Sequence, residues 1–398
     1  MKLSVAANYD SEIIPQLARY PVEEVYGKFP FDTVGGGRPG YMGTTVSEKA
    51  LTDYIRKLHQ NGIAFNYLLN SSCLSNREWT GKWQRKLMKL LEKISRMDVR
   101  RLTVSTPYLL ERIKKAFPHF SIRVGIFAQI DTPRRARFWE DLGADNITLE
   151  SFSINRNFRL LEAIRKAVNC DLTLIANHPC LPNCPMQYYH QGGFAHSSAR
   201  TGSFFIDYCF LRCTYERLND PSYLVKSCWI RPEDVSYYKQ IGYHHFKILE
   251  RDIPSSELLK RVHSYSSGCS PADLIEMILP YGFKEPQRRQ KFWFLKNFFK
   301  PAKINPLKLK PLYDFAKKQG MLFPSKRRVF YMNSSKIPAD FIRGFEDRNC
   351  SESSCAECGY CGTIATQSVR CNENYRSELL EQFKQIQDML ISGTLWHV

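Results

Sequence analysis

The segment Ser47–Leu69, SEKALTDYIRKLHQNGIAFNYLL, contains one helix followed by one strand. Ser47 is a favourable N-cap residue and Gly62 a favourable helix stop, so residues 47–62 are predicted to form a helix. The apolar residues of this helix recur at helical spacing, which predicts one face packed against a core. The apolar run Ile63–Leu69 that follows predicts a buried strand.

The same alternation of short apolar strands and amphipathic helices extends from the N-terminus to about Gly268. The predicted strands are Leu3–Ala7, Val22–Tyr26, Ile63–Leu69, Leu102–Ser105, Arg123–Gln129, Asn146–Glu150, Leu172–Ala176 and Phe246–Leu249. The predicted helices are Ser11–Tyr20, Ser47–Gly62, Thr80–Asp98, Tyr108–Phe117, Arg134–Gly143, Arg156–Val168, Pro232–Gly242 and Ser255–Ser264.

About eight such units in roughly 265 residues match the ~250 residues of a typical (β/α)8 barrel. A doubly wound open sheet is the competing topology. We predict an α/β fold, in which residues 1–268 form a (β/α)8 TIM-barrel-like domain with a Cys-rich segment at 178–230. Residues 269–398 are predicted to form a smaller, basic and α-rich extension that carries a second cysteine loop.

The composition restricts the class of protein. Of the 398 residues, 43% are apolar, which is too many for a disordered chain. No run of 18 apolar residues occurs, so no transmembrane helix is predicted, and Met1–Asp10 lacks the apolar core of a secretory signal. We therefore expect a cytoplasmic protein. Thirteen cysteines in a chain of this length indicate metal binding or catalysis rather than a disulfide scaffold.

Polar residues follow several of the predicted strands, at the end of a barrel where chemistry takes place. They are Asn8, Tyr9, Asn70, Gln129, Glu150, Asn177, His178, Glu250 and Arg251. The glycine-rich run Val34–Gly40 fits neither a dinucleotide-binding motif nor a P-loop, and it is predicted to be a flexible loop over the pocket. The candidate substrate-binding residues are Arg38, Asn70, Asn177, His178, Arg231, Glu250 and Arg251. The alternative is that each of these residues is a loop cap or a surface ion-pair partner.

Two C-x3-C pairs surround the loop after the seventh strand. Cys180 and Cys184 lie in NHPCLPNCP, and Cys209 and Cys213 lie in YCFLRC. Four thiolates suffice for a tetrahedral zinc ion or a [4Fe–4S] cluster. The alternative is a set of buried structural thiols, because cysteine is common in cores.

A second cysteine group lies near the C-terminus, in NCSESSCAECGYC. Its members are Cys350, Cys355, Cys358 and Cys361. The C-x2-C-x2-C core is typical of ferredoxin-type loops that bind [4Fe–4S] clusters. Either Cys350 or Cys371 can supply the fourth ligand, and Cys350 is the nearer. Zinc remains the alternative for both cysteine groups.

Residues 1–268 resemble the peptidase U32 family. The resemblance rests on the barrel-like series, on the first cysteine group after the seventh strand, on CWIRPEDVSYYKQIGYHHFKILER (Cys228–Arg251) and on the stretches VYGKF, FNYLLN and NRNF, whereas the C-terminal cysteine loop lies outside the common family core. The family ending is of the type K-I-E-G-R, whereas here it is Lys247-Ile248-Leu249-Glu250-Arg251, without the glycine.

The family resemblance implies two different kinds of activity. The family was named for proteolysis, but other members are oxygen-independent hydroxylation proteins that hold a [4Fe–4S] cluster on four cysteines. Those members act on ubiquinone precursors, transfer RNA or ribosomal RNA. By position, the resemblance implies such a cluster on Cys180, Cys184, Cys209 and Cys213. We expect an electron donor protein to supply it with electrons. It does not identify the substrate.

The stretch Lys284–Arg328 holds 14 Lys and Arg residues against two acids, and it supplies most of the net charge of +18. Phe292, Trp293, Phe294, Phe298 and Phe299 lie among these basic residues. Basic groups attract phosphates and aromatic rings stack on unpaired bases, so we expect an anionic partner. RNA, an acidic carrier protein and a membrane surface all fit this pattern. The alternative is a solvated face whose rings pack on the barrel.

These patterns lead to one functional hypothesis. The protein is expected to carry out oxygen-independent hydroxylation, or a related redox modification, of an anionic substrate: an RNA, or a small molecule that is free or carrier-bound. Neither an H-E-x-x-H nor a G-x-S-x-G motif occurs, which disfavours the best-known peptidase chemistries. The alternatives are a U32 peptidase and a non-catalytic iron–sulfur or RNA-binding subunit.

Overall fold

The eight predicted strands form one closed parallel barrel in chain order. The computed structural model describes residues 1–199, 204–250, 253–279, 292–318 and 327–396. Hydrogen-bonded pairing of the first strand with the last closes the ring. The strands are β1 (Lys2–Ala6), β2 (Val22–Gly27), β3 (Ala64–Leu69), β4 (Arg101–Val104), β5 (Ser121–Val124), β6 (Asn146–Thr148), β7 (Asp171–Ile175) and β8 (His245–Lys247). The (β/α)8 prediction is therefore confirmed, and the open sheet is wrong.

Helices on the outside of the ring follow the strands, as the spacing of the apolar residues predicts. Ser47 caps the second helix, where its hydroxyl accepts a 3.1 Å hydrogen bond from the Ala50 amide. The helices are α1 (Ile14–Leu17), α2 (Glu48–Gln60), α3 (Gly81–Arg96), α4 (Pro107–Ala116), α5 (Pro133–Asp141), α6 (Phe158–Ala167), α7 (Gln187–Ser197), α8 (Tyr208–Asn219), α9 (Tyr223–Lys226), α10 (Val235–Gln240) and α11 (Ser255–Ser267). Three of them, α7 to α9, belong to the insertion between β7 and β8. Strand β5 ends earlier than predicted because Ile126–Ala128 forms a 3-10 turn and Gln129 has a φ of 51°.

The C-terminal extension is mainly helical and packs against the barrel. Its elements are α12 (Ile275–Ile278), α13 (Trp293–Phe298), α14 (Leu309–Lys318), β9 (Phe330–Met332), α15 (Cys355–Cys358), α16 (Tyr360–Ser368), β10 (Val369–Cys371) and α17 (Glu373–Ile391). Strands β9 and β10 pair antiparallel. Helix α17 lies along α8, where the rings of Phe383 and Phe210 have centroids 6.5 Å apart.

A buried arginine joins the extension to the barrel. Arg156 is 3% exposed and donates hydrogen bonds to the carbonyl oxygens of Val225 (2.7 Å) and Trp229 (3.1 Å). Its guanidinium lies 4.8–5.1 Å from the ring centroids of Trp229, Phe341 and Phe345. Two of these rings belong to the extension, and desolvated cation–π contacts contribute up to about 2 kcal/mol. This arginine therefore fixes residues 341–345 on the barrel.

The basic stretch Lys284–Arg328 is described only in part, since residues 284–291 and 319–326 lie outside the described ranges. In the described part, Phe294 and Phe298 are buried, whereas Phe292 and Phe299 are 66% and 52% exposed. The aromatic residues of this stretch thus serve partly as packing. Within the described ranges, the helices are too short or too polar to cross a membrane.

A buried ionic network lies inside the barrel. Glu24 on β2 is fully buried and pairs with Arg123 on β5 and, at 3.3 Å, with Arg101 on β4. The Ser4 hydroxyl donates to the same carboxylate at 2.6 Å, and the Asn66 amide does so at 3.3 Å. Burial alone would raise the pKa of Glu24, but the Arg123 charge and these hydrogen bonds hold it below its usual value. The carboxylate is therefore charged and paired.

Replacing Glu24 by Gln should lower the free energy of unfolding by about 3 kcal/mol, because Arg123 would keep a buried charge without its counter-ion. Equilibrium urea denaturation measures this loss. The matched control is Glu48→Gln, whose ion pair with Lys93 is exposed and contributes at most about 1 kcal/mol. Equal losses in the two variants would show that the buried network has no special weight.

Candidate functional site

A cavity of about 250 Å³ opens where the barrel strands end. Side chains that follow β3, β7 and β8 meet in its wall, because all strands of a closed parallel barrel end at the same mouth. Five of the seven predicted substrate-binding residues line it: Arg38, Asn70, Asn177, His178 and Glu250. Arg251 lies outside the described residues. The structure thus brings together most of the predicted polar set.

Arg231 does not lie in the wall of this cavity. Its guanidinium pairs with Asp234 at 2.8 Å and donates to the carbonyl oxygens of Pro338 (3.1 Å) and Ala339 (3.0 Å). Arg231 is therefore a contact between the barrel and the extension. The sequence shows the charges of Arg231 and Asp234, but it does not show that the two side chains are buried and paired.

The glycine-rich run forms part of the cavity wall, as Gly37, Arg38 and Pro39 line it. Gly36 has a φ of 126°, and a Cβ at this position would lie 2.7 Å from Asn70. Only glycine allows this close approach of two loops. The loop is also tied to α7, because the Ser198 hydroxyl accepts from the Gly36 amide at 2.8 Å. The tie contrasts with the flexible loop predicted from sequence.

Three of the four cysteines in the first group line the same cavity: Cys180, Cys184 and Cys213. Burial raises the pKa of Cys180, of Cys184 and, to about 12, of Cys209. In each case the neighbouring Cys213 thiol raises the pKa further. The four thiols therefore form one group, although they come from two segments of the chain.

His178 links this group to the barrel. Its Nδ1 lies 2.5 Å from the Ser151 hydroxyl, and its Nε2 lies 3.2 Å from the Cys180 sulfur. Burial lowers the pKa of His178 to about 3 and raises the pKa of Cys180 well above its usual value. Both shifts oppose a thiolate–imidazolium pair, which is the activated form of a cysteine peptidase. The arrangement instead suits a neutral histidine that donates a hydrogen bond to sulfur.

Cationic side chains outnumber carboxylates among the residues described in the cavity wall. The cations are Arg38, Arg217, Lys247 and Arg261, and the carboxylates are Asp207 and Glu250. Arg38 pairs with Glu250, and Arg217 donates to the Pro179 carbonyl oxygen at 2.8 Å. The Arg217 charge also opposes the burial that raises the pKa of Cys213. The wall therefore favours anions, whether thiolates or a bound ligand.

Most other polar residues predicted at the strand ends are engaged in loop structure. The Asn177 amide donates to the carbonyl oxygens of Leu249 (2.9 Å) and Met277 (3.0 Å). The Tyr9 hydroxyl donates to the Lys28 carbonyl oxygen at 2.7 Å. Likewise, Gln129 donates to the Gln191 side chain, and Glu150 accepts from the Ser153 hydroxyl. By contrast, Oδ1 of Asn70 is buried and accepts no hydrogen bond from the described residues. Among the predicted substrate-binding residues, Asn70 therefore keeps a buried acceptor for a ligand.

A compact set of possible metal ligands was not anticipated from the sequence. The ligating atoms of His190, Asp207 and Cys209 lie within 4.8 Å of one another, and His190 Nε2 is 2.9 Å from Asp207 Oδ2. No other three ligating residues in the described ranges are so close. Asp207 directly precedes the YCFLRC motif, which is a usable signal. His190 gives none, because it reaches the site only when α7 packs beside α8.

The second cysteine group lies on the extension. Cys355 and Cys358 are exposed, whereas Cys350 and Cys361 are half-buried. Cys228 belongs beside this second group, since Cys350 and Cys361 add to the burial that raises its pKa to about 12. In the sequence, Cys228 lies closer to Cys213 than to Cys350, so this placement is a result of the fold.

Comparison with known proteins gives a curated relative and similar structures. The uncharacterized protease MJ1657 of Methanocaldococcus jannaschii is 29% identical over 274 residues, which cover 69% of this chain and 79% of the relative. The U32 peptidase Mk0906 aligns with 64% of this chain and 94% of its own at 18% identity and a TM-score of 0.49. D-Psicose 3-epimerase aligns with 49% of this chain and 80% of its own, at 13% identity and a TM-score of 0.32.

No protein-family model matches the chain. The motif resemblance over residues 1–268 is nevertheless accompanied by the closed barrel and by the archaeal relative. These findings support the resemblance of the chain to the peptidase U32 family.

Proposed function

We propose that the chain is an iron–sulfur protein that performs oxygen-independent hydroxylation, or a related redox modification, on an anionic substrate. The observation that supports this most is the cavity at the barrel mouth, where thiols from two segments and four cationic side chains share one wall. Thiol clusters in a reducing compartment serve metal binding or catalysis. The cations would hold the substrate beside the metal centre.

The donor set fits a [4Fe–4S] cluster on Cys180, Cys184, Cys209 and Cys213. A single zinc ion with Zn–S bonds of ~2.3 Å would hold its thiolates roughly 3.8 Å apart. Among the residues described, no three cysteine sulfurs lie within 4.8 Å of one another. The thiolates of a cube bind different iron atoms and so need not converge on one point. When bound, the cluster would transfer electrons one at a time, while an oxygen-bearing organic co-substrate would supply the oxygen atom and accept the two electrons that the substrate loses.

The protein groups around this centre bind and orient. With the proton on Nε2, His178 would donate to the Cys180 sulfur 3.2 Å away, and the Ser151 hydroxyl contacts the other ring nitrogen at 2.5 Å. The Arg38 guanidinium and the buried Asn70 Oδ1 lie in the same wall and would bind an anionic group and a hydrogen-bond donor of the substrate. Phe152 and Phe194 add apolar surface to the same wall.

The size of the cavity limits the part of the substrate that can enter. A volume of about 250 Å³ is near the lower end of ligand pockets, which span ~300–1,000 Å³. It suits a small anionic molecule or a single extruded nucleotide rather than a folded macromolecule. An RNA substrate would therefore present one unstacked base to the cavity.

A second candidate function is a zinc-dependent peptidase. His190, Asp207 and Cys209 offer three protein ligands of the types that zinc accepts, and a catalytic zinc keeps a fourth position for water. The names of the archaeal relative and of the U32 structure refer to proteolysis. Cys209 belongs to both candidate sites, so a chain can form only one of them at a time.

Metal content should separate these functions. After anaerobic purification, Cys180→Ser and Cys213→Ser should each lose about four irons and the matching acid-labile sulfide, because each removes a cluster ligand. Cys269→Ser is the matched control, since Cys269 is exposed and does not line the cavity. His190→Ala should leave the iron content unchanged.

Two outcomes would contradict this assignment. One is iron content that does not change in Cys180→Ser and Cys213→Ser. The other is a single zinc that is lost in His190→Ala, together with zinc-dependent peptide hydrolysis. The second outcome would establish the peptidase candidate.

The chemistry itself is testable by mass spectrometry of cells grown without oxygen. Cells that contain the chain should accumulate an RNA nucleoside or an acidic metabolite with one additional oxygen atom, and cells without it should not. Arg38→Gln should reduce this product about tenfold or more at unchanged iron content, because hydrogen bonds to charged groups contribute ~1.5–3 kcal/mol.

The control for this experiment is Arg100→Gln, which removes an exposed arginine that pairs only with exposed Asp98. Its product level should equal that of the wild type. Identical extracts with and without the chain would indicate the non-catalytic subunit. A wild-type product level in Arg38→Gln would contradict the anion-binding role of the cavity.

A further inference from the structure

The cysteine loop of the extension is a compact structure that the proposed reaction does not use. Helix α15 is a single turn that bears Cys355 and Cys358, and Cys361 lies in the first turn of α16. Gly359 separates these helices with a φ of 63°, a conformation that favours glycine. The left-handed residue reverses the chain, so that the cysteines of both helices come together.

Thiols of this loop affect one another. Burial raises the pKa of Cys361 to about 11, and Cys350, Cys355 and Cys358 raise it further. Burial also raises the pKa of Cys350, and Cys355 and Cys358 again add to the shift. The geometry agrees, since Cys350 and Cys361 both pack against the hydrophobic core and the Ser353 amide donates to the Asn349 carbonyl oxygen at 3.0 Å, which turns the chain between Cys350 and Cys355.

Tyr360, which lies between Gly359 and Cys361, connects the loop to the barrel through Phe341. Its hydroxyl donates to the Phe341 carbonyl oxygen at 2.9 Å, and its ring stacks on that of Phe341 at 6.1 Å. Phe341 in turn contacts the Arg156 guanidinium at 4.9 Å. A rigid support of this kind fixes the inner ligands before any metal binds.

A buried positive charge lies beside the inner thiols. The Arg156 charge opposes the rise in pKa of both Cys350 and Cys361. Arg156 is 3% exposed and is fixed by two carbonyl oxygens and three aromatic rings. Four thiolates around an iron–sulfur cube leave a net negative charge, which a fixed guanidinium stabilises.

The loop also leaves space beside its thiols. A Cβ at Gly359 or Gly362 would meet no atom within 4 Å, so both glycines border open volume. Cys355 and Cys358 face solvent from this side. The backbone next to Cys358 and Cys361 is therefore not covered by other side chains.

We propose that Cys350, Cys355, Cys358 and Cys361 bind a [4Fe–4S] cluster of their own. This site uses residues other than those of the cavity, so it stands or falls independently of the proposed function. As in the first group, no three of its sulfurs lie within 4.8 Å in the described structure, a spacing wider than that around one zinc ion. We assign Cys350 rather than Cys371 as the fourth ligand, because Cys350 directly precedes the loop, whereas Cys371 lies on β10 beyond α16.

The location of this cluster indicates its role. One side is exposed through Cys355 and Cys358, and the other contacts the loop of the first cysteine group, where Asn183 donates to the Cys350 carbonyl oxygen at 3.4 Å. A low-potential one-electron donor protein can therefore dock at the surface. The donor protein would transfer one electron to the cluster and would itself be oxidised by one electron.

Substitution of single cysteines in the full-length chain tests the site. Cys358→Ser and Cys361→Ser, purified anaerobically and supplied with ferrous iron and sulfide, should each bind about four fewer irons than the wild type. They should also lose one dithionite-induced electron paramagnetic resonance signal and keep the other. Cys371→Ser is the matched control and should retain all iron and both signals.

The outcomes separate this site from the cavity. Loss of the other signal in Cys213→Ser, with retention of the Cys358-dependent signal, supports two independent centres. Full iron content in Cys358→Ser and Cys361→Ser, or zinc in place of iron, overturns the proposal. Loss of this iron in Cys371→Ser with retention in Cys350→Ser overturns the ligand assignment. Cys355→Ser serves as a further variant, because its exposed side chain is not needed for packing.

Discussion

Closure of the barrel by the pairing of β1 with β8 is the constraint on which the cavity depends. In a closed parallel ring, the residues that follow different strands meet at one mouth however far apart they are in the sequence. Asn70, His178 and Glu250 line one wall for this reason. The insertion between β7 and β8 then brings the thiol of Cys213 to that of Cys180.

Buried guanidinium groups are the common element of the two cysteine groups. A buried cation is costly unless negative charge lies nearby, and metal-bound thiolates supply such charge. Arg217 lies beside the thiols of the first group, and Arg156 lies beside Cys350 and Cys361 of the second. Both arginines also donate to backbone carbonyl oxygens, Arg156 to those of Val225 and Trp229 and Arg217 to that of Pro179. The same electrostatic logic therefore favours a metal centre at each group.

The sequence predicted those features that depend on local patterns. Apolar runs gave all eight strands, and the C-x3-C and C-x2-C-x2-C spacings identified both thiol groups. It failed where a residue acts through distant partners. Arg231 was assigned to an anion, but Asp234 and carbonyl oxygens of the extension occupy it. His190 was missed because only the packing of two inserted helices brings it to Cys209.

Cys209 decides between the two candidate functions, because its sulfur cannot serve both a cluster and the site with His190 and Asp207. Asp207 has a structural reason for its position, since Oδ1 accepts from the Phe210 amide at 2.9 Å and caps α8 while Oδ2 pairs with His190. Cys209 and Cys213 lie four residues apart and so share one face of that helix. A zinc site would use one of these thiols and leave three others unused, whereas the cluster uses all four.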